Sequence, residues 1–417
     1  MRETKTIEFK ESVTNSFLKT VSAYANYDGG TVLFGVNDHG QAVGLSDPIQ
    51  QCLNIENRIN DAISPRPEYS LDIREADDVV ALTVRPGTSK PYLYRSKAYK
   101  RSDASTVEVD NVELTRLILE GQNVTFEQLP AKSQDLEFVY LGELLSKHLA
   151  LDAFTKDTLK TLELYKEDSG YNNAAAILAD RNSFPGVDLA QFGESINVII
   201  RRVTSEGKSA LAEFDEALQV FDDLYCYAEV VGATRRTVER VPLTAFREAL
   251  ANALVHRAWD VEARVRISMF DDHIEVVSPG GLPTGISEEE YLVDTVSVRR
   301  NPILANVFYR LGIIEAFGTG IRRIKNAYED SASKPKFEIR ENSITVILPV
   351  LRQDYALDED QSVVFDQLSS VRPIGMSELL DRVGLSKSTV HRILRGLIER
   401  GLVIMVGSGR GTKYRKA

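Results

Sequence analysis

Between Arg247 and Arg257 the chain reads Arg247-Glu248-Ala249-Leu250-Ala251-Asn252-Ala253-Leu254-Val255-His256-Arg257, a helix with no breaker in it. Glu248, Asn252 and His256 are four apart, so all three share one face. Ala249, Leu250, Ala253 and Leu254 supply an apolar face for packing. A carboxylate and a carboxamide one turn apart can do specific work. The carboxylate can take a proton from water, and the amide oxygen can ligate a hard cation such as Mg²⁺. A surface helix with polar pairs has the same pattern, so the rest of the chain decides between the two.

The length of 417 residues suggests two to four domains with ample core. Hydrophobic (43%) and charged (27%) fractions are those of a soluble globular protein. No apolar run reaches membrane-spanning length. The start, Met1-Arg2-Glu3-Thr4-Lys5-Thr6, is charged and lacks a signal-peptide core. Cys52 and Cys226 are far apart, without metal-ligand spacing, and read as reduced thiols of a cytoplasmic protein. A net charge of −11 argues against indiscriminate coating of nucleic acid. The charge is uneven, however. From Ser386 onward come Lys387, Arg392, Arg395, Arg400, Arg410, Lys413, Arg415 and Lys416, against Glu399 alone. A basic tail on an acidic body is an electrostatic footprint for nucleic acid.

Along residues 1–122 the pattern predicts a short strand at Glu8-Phe9-Lys10, a helix over 12–26 ended by Asp28-Gly29-Gly30, and a buried strand over 31–36. Asp38-His39-Gly40 reads as a hairpin turn returning through Gln41 to Leu45. A helix near 48–63, strands near 69–75, 78–85 and 91–101, and a helix from 111 to 120 follow. The spaced residues Glu3, Glu8-Phe9-Lys10, Ala25-Asn26, Gly29-Gly30, Phe34-Gly35-Val36, Asp38, Gly40 and Gly44 resemble the Schlafen-type, AlbA-like domain. That resemblance implies a nucleic-acid-binding domain. Some Schlafen members are metal-dependent RNA nucleases with three carboxylates, and Glu3, Glu8 and Asp38 fall at matching positions, beside Lys10. Carboxylates gathered that way can hold Mg²⁺ and activate water. On their own, Glu8 and Lys10 also read as strand-edge residues and Asp38 as turn chemistry. Arg95, Lys97, Lys100 and Arg101, interleaved with Tyr92, Tyr94 and Tyr99, are candidates to track phosphates and stack on bases of DNA or RNA.

Residues 123–235 read as a mixed α/β connecting region. Helices are expected near 140–149 and 155–166, strands at Ala174–Ala179 and 196–203, and a long helix from Glu213 to Val230. Gly207-Lys208-Ser209 follows a strand and precedes a helix, the layout of a P-loop. That motif needs a glycine five positions before Gly207, where this chain has Arg202. The stretch is therefore an ordinary loop, and a P-loop helicase motor is not expected.

Residues 236–352 carry the opening helix at 243–257, then strands at 264–270 and 273–278 and the turn Pro279-Gly280-Gly281-Leu282-Pro283. Helices at 302–311 and 321–328 and a hairpin over 336–349 complete the segment. The order Glu-x3-Asn on a helix, a strand ending in a glycine turn, and Gly318-Thr319-Gly320 before a helix resembles the GHKL superfamily of ATP-binding domains, shared by gyrase, histidine kinases and MutL. Asn301-Pro302 and Gly312-Ile313-Ile314-Glu315 through Gly320 bring it closer to the divergent branch of RecG-C-terminal-like transcriptional regulators. The resemblance implies an ATP site with Mg²⁺. Glu248 would be the general base, Asn252 the Mg²⁺ ligand, and Gly318, Thr319 and Gly320, with Gly280 and Gly281, would let backbone approach the nucleotide. One departure stands out. The superfamily's adenine-binding aspartate is absent, and Ser278 occupies the turn, Ser278-Pro279-Gly280-Gly281.

Residues 355–417 read as three helices and a basic hairpin, which resembles a winged helix-turn-helix. Asp358 caps the first helix to Ser369, the second runs from Ser377 to Val383, and Ser386 caps the third to Arg400. The third helix would enter the major groove of DNA with Lys387, Ser388, Thr389, His391, Arg392 and Arg395. The wing would contribute Arg410 and Lys413. The expected fold is thus α+β and multidomain: a Schlafen-like α/β domain, a GHKL-like α/β sandwich and a C-terminal winged helix. The expected function is a DNA-binding transcriptional regulator that senses a nucleotide and works as a homo-oligomer. The competing expectations are an enzyme, either a nuclease at Glu3, Glu8 and Asp38 or an ATPase at Glu248, and an adaptor that touches no nucleic acid.

Overall fold

The structure, a computed structural model, describes residues 2–149, 153–231, 234–283, 286–293, 299–315, 319–331, 333–351, 357–369, 372–407 and 409–416. The chain divides into two compact units, Met1–Leu129 with Pro283–Ile286, and Pro130–Leu282 with Ser287–Ala417.

The first unit opens with β1 (Ile7–Lys10), α1 (Phe17–Asn26), β2 (Gly30–Phe34) and α2 (Pro48–Ala62). It continues with β3 (Ile63–Ser64), β4 (Tyr69–Arg74), β5 (Val79–Val84), β6 (Leu93–Tyr94), β7 (Tyr99–Ser102), β8 (Ser105–Glu108) and α3 (Asn111–Gly121). Its main sheet has the order β1-β2-β5-β4, with β1 and β2 parallel. Phe17, Leu18, Val21 and Ala25 of α1 are buried in a core with Val32, Phe34, Val80 and Leu82 of the sheet. The helix begins at Phe17 rather than at residue 12. Thr14 and Ser16, hydroxyls 2.9 Å apart, engage in a local turn that competes with the first helical turn. The strand expected over 91–101 is two strands, because Tyr94 and Lys97 exchange backbone bonds of 2.9 and 3.1 Å across a two-residue turn. The expected return strand from Gln41 is reduced to a single bridge between Val36 and Ala42.

The second unit starts with α4 (Val139–Leu149), α5 (Lys156–Thr161), β9 (Tyr165–Lys166), β10 (Gly170–Tyr171) and α6 (Asn173–Leu178). The segment 174–179, expected as a strand, is therefore largely helix. The Asn172 side chain accepts from Ala175 N at 3.0 Å, and three alanines follow it. Next come β11 (Val187–Phe192), β12 (Ile199–Ser205), α7 (Ala210–Tyr225), β13 (Cys226–Val231), β14 (Thr234–Glu239) and α8 (Leu243–His256). The helix expected to reach Val230 stops at Tyr225, and the residues beyond it pair with β14. Then follow β15 (Val265–Met269), β16 (His273–Pro279), α9 (Glu288–Val293), α10 (Pro302–Arg310), α11 (Gly320–Asn326), β17 (Lys336–Arg340) and β18 (Ser343–Pro349).

A six-stranded sheet, β12-β11-β15-β16-β18-β17, underlies this unit. Two of its strands come from the region read as a connector. β11 pairs in parallel with β15, from Val187 opposite Val265 to Gln191 opposite Met269, so the sheet reaches back well before residue 236. α8 packs on β16 and β18 with its apolar face, and α7 and α11 pack beside it. Phe221 of α7 stacks on Phe246 of α8 with ring centres 4.3 Å apart, one of the contacts that fixes α8 in place.

The end of the chain adds α12 (Glu359–Asp366), β19 (Ile374–Gly375), α13 (Met376–Val383), α14 (Lys387–Glu399), β20 (Val403–Val406) and β21 (Lys413–Lys416). Three helices surround a core of Val364, Leu379, Val390, Leu394, Leu397 and Val403, and β19-β21-β20 forms a small sheet. Asp358 caps α12 through Gln361 N at 2.8 Å, and Ser386 caps α14 through Thr389 N at 3.2 Å. Gly401, with φ +71°, turns the chain after α14. This is the winged helix-turn-helix anticipated from the sequence.

Candidate functional site

The face of α8 carrying Glu248 and Asn252 meets the start of α11. A Cβ placed on Gly320 would lie 2.8 Å from Asn252 Nδ2 and 3.3 Å from Glu248 Oε2, so a larger residue here would have to push the Asn252 side chain aside. Glu248 is 2% exposed. Its Oε1 accepts from Arg323 Nη1 at 3.1 Å and from Arg247 Nη2 at 3.2 Å. Arg323 Nη2 lies 2.7 Å from Glu315 Oε1, so one guanidinium joins a buried carboxylate to a half-exposed one. These two carboxylates push the Arg323 guanidinium up from its ordinary value. Arg323 was not singled out in the sequence, and Glu315 only as part of the motif from Gly312 to Gly320. The signal was present, since Arg323 follows Gly320 by three residues, one helical turn. Thr319 precedes α11, and Gly318 lies outside the described residues.

The glycine turn is packed tightly. Gly280 has φ +98°, and a Cβ there would be 2.1 Å from Arg300 Nη1. A Cβ on Gly281 would be 2.2 Å from Glu341 O. Ser278, the residue standing where the GHKL resemblance would have aspartate, is 8% exposed and donates its hydroxyl to Ala253 O at 3.0 Å. That bond ties β16 to α8. Asn301 has a matching role. It is 1% exposed, and its Nδ2 donates to Val255 O (2.8 Å) and Arg257 O (2.9 Å), the open carbonyls at the end of α8. His256 shares the polar face as expected. Burial, with Arg300 and Arg299 nearby, pushes its imidazole down to about 4.

Each of the three N-terminal carboxylates sits in its own local surroundings. Glu3 Oε1 accepts from Phe9 N at 2.8 Å. Glu8 is 5% exposed, accepts from Thr20 Oγ1 at 2.9 Å, and pairs with Lys10 at 2.7 Å and with Arg101. Asp38 is exposed at the tip of a turn that the Asn37 side chain closes by accepting from His39 N and Gln41 N, both at 3.0 Å. Among the described residues no group of three or more His, Cys, Asp or Glu is placed to hold a metal ion. Glu8 thus faces two cations, Lys10 and Arg101. The basic residues further along have partners of their own. Arg101 is buried against Glu8, Lys100 pairs with Glu113 at 2.8 Å and Lys97 with Glu108 at 2.7 Å. Arg95 stands exposed at its turn, over the Tyr94 ring at 5.3 Å.

On α14, Lys387, Ser388, His391, Arg392 and Arg395 are all exposed, and Thr389 is half-buried at the cap. Arg395 forms a solvent-exposed pair with Glu399 at 3.3 Å, a weak contact that leaves it available. The opposite face of α14 holds Val390, Ile393, Leu394 and Leu397 in the core. Lys413 is exposed on β21; Arg410 lies in the short turn Gly409–Gly411, its side chain outside the described set.

The fold and these faces define a protein built from an AlbA-like unit, an ATPase-like sheet with α8 and α11 on it, and a C-terminal helix-turn-helix. Comparison with known proteins gives three matching segments. Residues 3–110 match the family model Schlafen, AlbA_2. Residues 262–348 match the family described as "Putative ATP-dependent DNA helicase recG C-terminal". Residues 364–404 match the IclR helix-turn-helix domain. The three matches agree with the architecture read from the sequence. Among solved structures, the chain is similar to the DIP2311 protein from Corynebacterium diphtheriae, with 17% identity, a TM-score of 0.47, and coverage of 99% of this chain and 95% of that one. It is also similar to the N-terminal domain of a RecG-related protein from Nitrosomonas europaea, with 24% identity, a TM-score of 0.21, and coverage of 27% of this chain and 84% of that one. No curated protein matches the chain. The helix-turn-helix and ATPase-like segments together support a DNA-binding protein. No helix among the described residues is long and apolar enough to cross a membrane.

The match to an ATPase-like family suggests nucleotide binding. The donor set on α8 suits a nucleotide with its metal ion in part. Asn252 offers a carboxamide oxygen, but Gly320 lies directly against Asn252 and Arg323 holds Glu248.

Proposed function

We propose that this chain is a cytoplasmic DNA-binding transcriptional regulator whose ATPase-like segment binds ATP or a related nucleotide. The exposed cationic face of α14 carries the DNA reading: Lys387, His391, Arg392 and Arg395 project from a helix whose other face is fully packed. In the major groove these side chains reach phosphates and base edges, with Ser388 and Thr389 at the helix start and Arg410 and Lys413 on the wing. The protein works as a homo-oligomer, since winged helices read paired half-sites one helical turn apart. Asn252 would hold the nucleotide's Mg²⁺, Glu248 would take the proton from water, and Thr319, Gly320, Gly280, Gly281 and Ser278 would line the backbone approach; Gly318, expected there too, lies outside the described residues.

The DNA reading is tested by fluorescence anisotropy on double-stranded DNA over a range of salt. Wild type is expected to bind with a steep salt dependence. Arg392→Ala with Arg395→Ala is expected to reduce the log–log salt slope by about 2, one for each lost phosphate contact. An unchanged slope rejects α14 as the DNA-reading helix. The nucleotide reading is tested by calorimetry with Mg²⁺ and ATP, where Asn252→Ala is expected to weaken binding about tenfold, ~1.4 kcal/mol. Equal affinities remove Asn252 from the site.

A further inference from the structure

Arg323 connects three observations on α8 and α11. Glu248 is buried and has its charge balanced by Arg323 and Arg247. Glu315, 51% exposed, takes the outer edge of the same guanidinium. Gly320, one turn before Arg323, rests against the half-buried Asn252 side chain, where a Cβ would lie 2.8 Å from Nδ2. Removing the partner of a buried carboxylate is strongly unfavourable, whereas an exposed ion pair is weak and screened by salt. The inner pair therefore adds to the hold that buried Ile321 and Ile324 give α11, and the outer pair adds a small, releasable increment.

We propose that Arg323 is a latch that closes the nucleotide site: by bridging Glu248 and Glu315 it keeps the start of α11 on Asn252, and phosphates reach Asn252 only after those ion pairs break. The inference rests on the nucleotide reading above and adds its regulation. A closed majority state lowers apparent affinity by the fraction of molecules that are open. Loosening the latch therefore strengthens binding without adding any contact to the ligand. Glu248 keeps Arg247 as a partner when Arg323 is replaced.

The test uses the full chain as wild type, Arg323→Gln and Glu315→Gln. Amide hydrogen exchange is followed over α11, together with calorimetric binding of Mg²⁺-ADP. In Arg323→Gln, α11 amides are expected to exchange about tenfold faster while α14 amides are unchanged, and ADP is expected to bind about five- to tenfold more tightly. Glu315→Gln shifts both quantities in the same direction by less, and keeps the assay informative if Arg323→Gln folds poorly. Wild-type exchange in α11 of both variants, with ADP still bound, overturns the latch alone. Weaker ADP binding by Arg323→Gln also overturns it, because Arg323 would then be holding phosphate. Faster exchange with no ADP bound by any of the three proteins removes the nucleotide reading and the gating with it.

Discussion

Glu213 shows how a single buried residue shapes the stability of the ATPase-like unit. It lies in α7, 2% exposed, and burial lifts its carboxyl to about 8 despite the opposing pull of Arg257. The folded pKa is thus above the ordinary carboxylate value, so folding takes up a proton. That contribution is fully present below the unfolded pKa and is lost as pH rises through about 8. His256 titrates in the opposite sense but only below its ordinary value, so the window from pH 6.5 to 8 isolates Glu213. Across it wild type is expected to lose about 1 kcal/mol per pH unit relative to Glu213→Gln, read as diverging melting temperatures in calorimetry. Parallel profiles for the two proteins contradict the assignment. Asn301 gives a second case. Asn301→Ala leaves two carbonyls at the end of α8 without their donors, and is expected to cost about 2–3 kcal/mol in denaturant unfolding. Glu248 and Asn252 were legible as a pair from their spacing of four. The Glu8–Arg101 pair was not, because 93 residues separate the partners and no local pattern marks either one.

At the scale of elements, segments with a clear period and a cap were readable. The helices α8, α10, α13 and α14 fall close to their expected limits, each defined by apolar spacing and a terminal signal such as Ser386 or Pro302. Short apolar runs were not. Asn173–Leu178 has the composition of either a buried strand or a buried helix, and only the Asn172 cap decides it. α9 went unread although Ser287 and Glu290 form a reciprocal cap, with Glu290 Oε2 accepting from Ser287 N at 2.9 Å. The strand β11 gave no alternation strong enough to see, and it is its pairing with β15 that recruits it to the sheet. Capping also sets a measurable stability. Ser386→Ala removes the acceptor for Thr389 N and is expected to destabilise the winged helix by about 1 kcal/mol, seen as a lower melting temperature with DNA contacts otherwise intact. No change in melting temperature would show that α14 starts without its cap.

At the scale of the molecule, the three-part order was visible because each part carries its own local signature, and three family matches agree with it. What the sequence could not display is which charges are already consumed by partners. Of the candidate nucleic-acid track, Arg101 is buried against Glu8 and Lys100 is half-buried beside Glu113, whereas Lys97, paired with Glu108 in solvent, and the cations of α14 stay exposed. The exposed cationic face of α14 is the surface on which the proposed DNA binding rests. A nucleotide that regulates that face must change its affinity for DNA, and reciprocal linkage makes the change measurable. The direct measurement is the DNA affinity of the full chain, at fixed salt, with and without saturating Mg²⁺-ATP. The account predicts a change of about fivefold or more, absent in Asn252→Ala. Equal affinity with and without nucleotide, in a protein that binds both ligands, contradicts it.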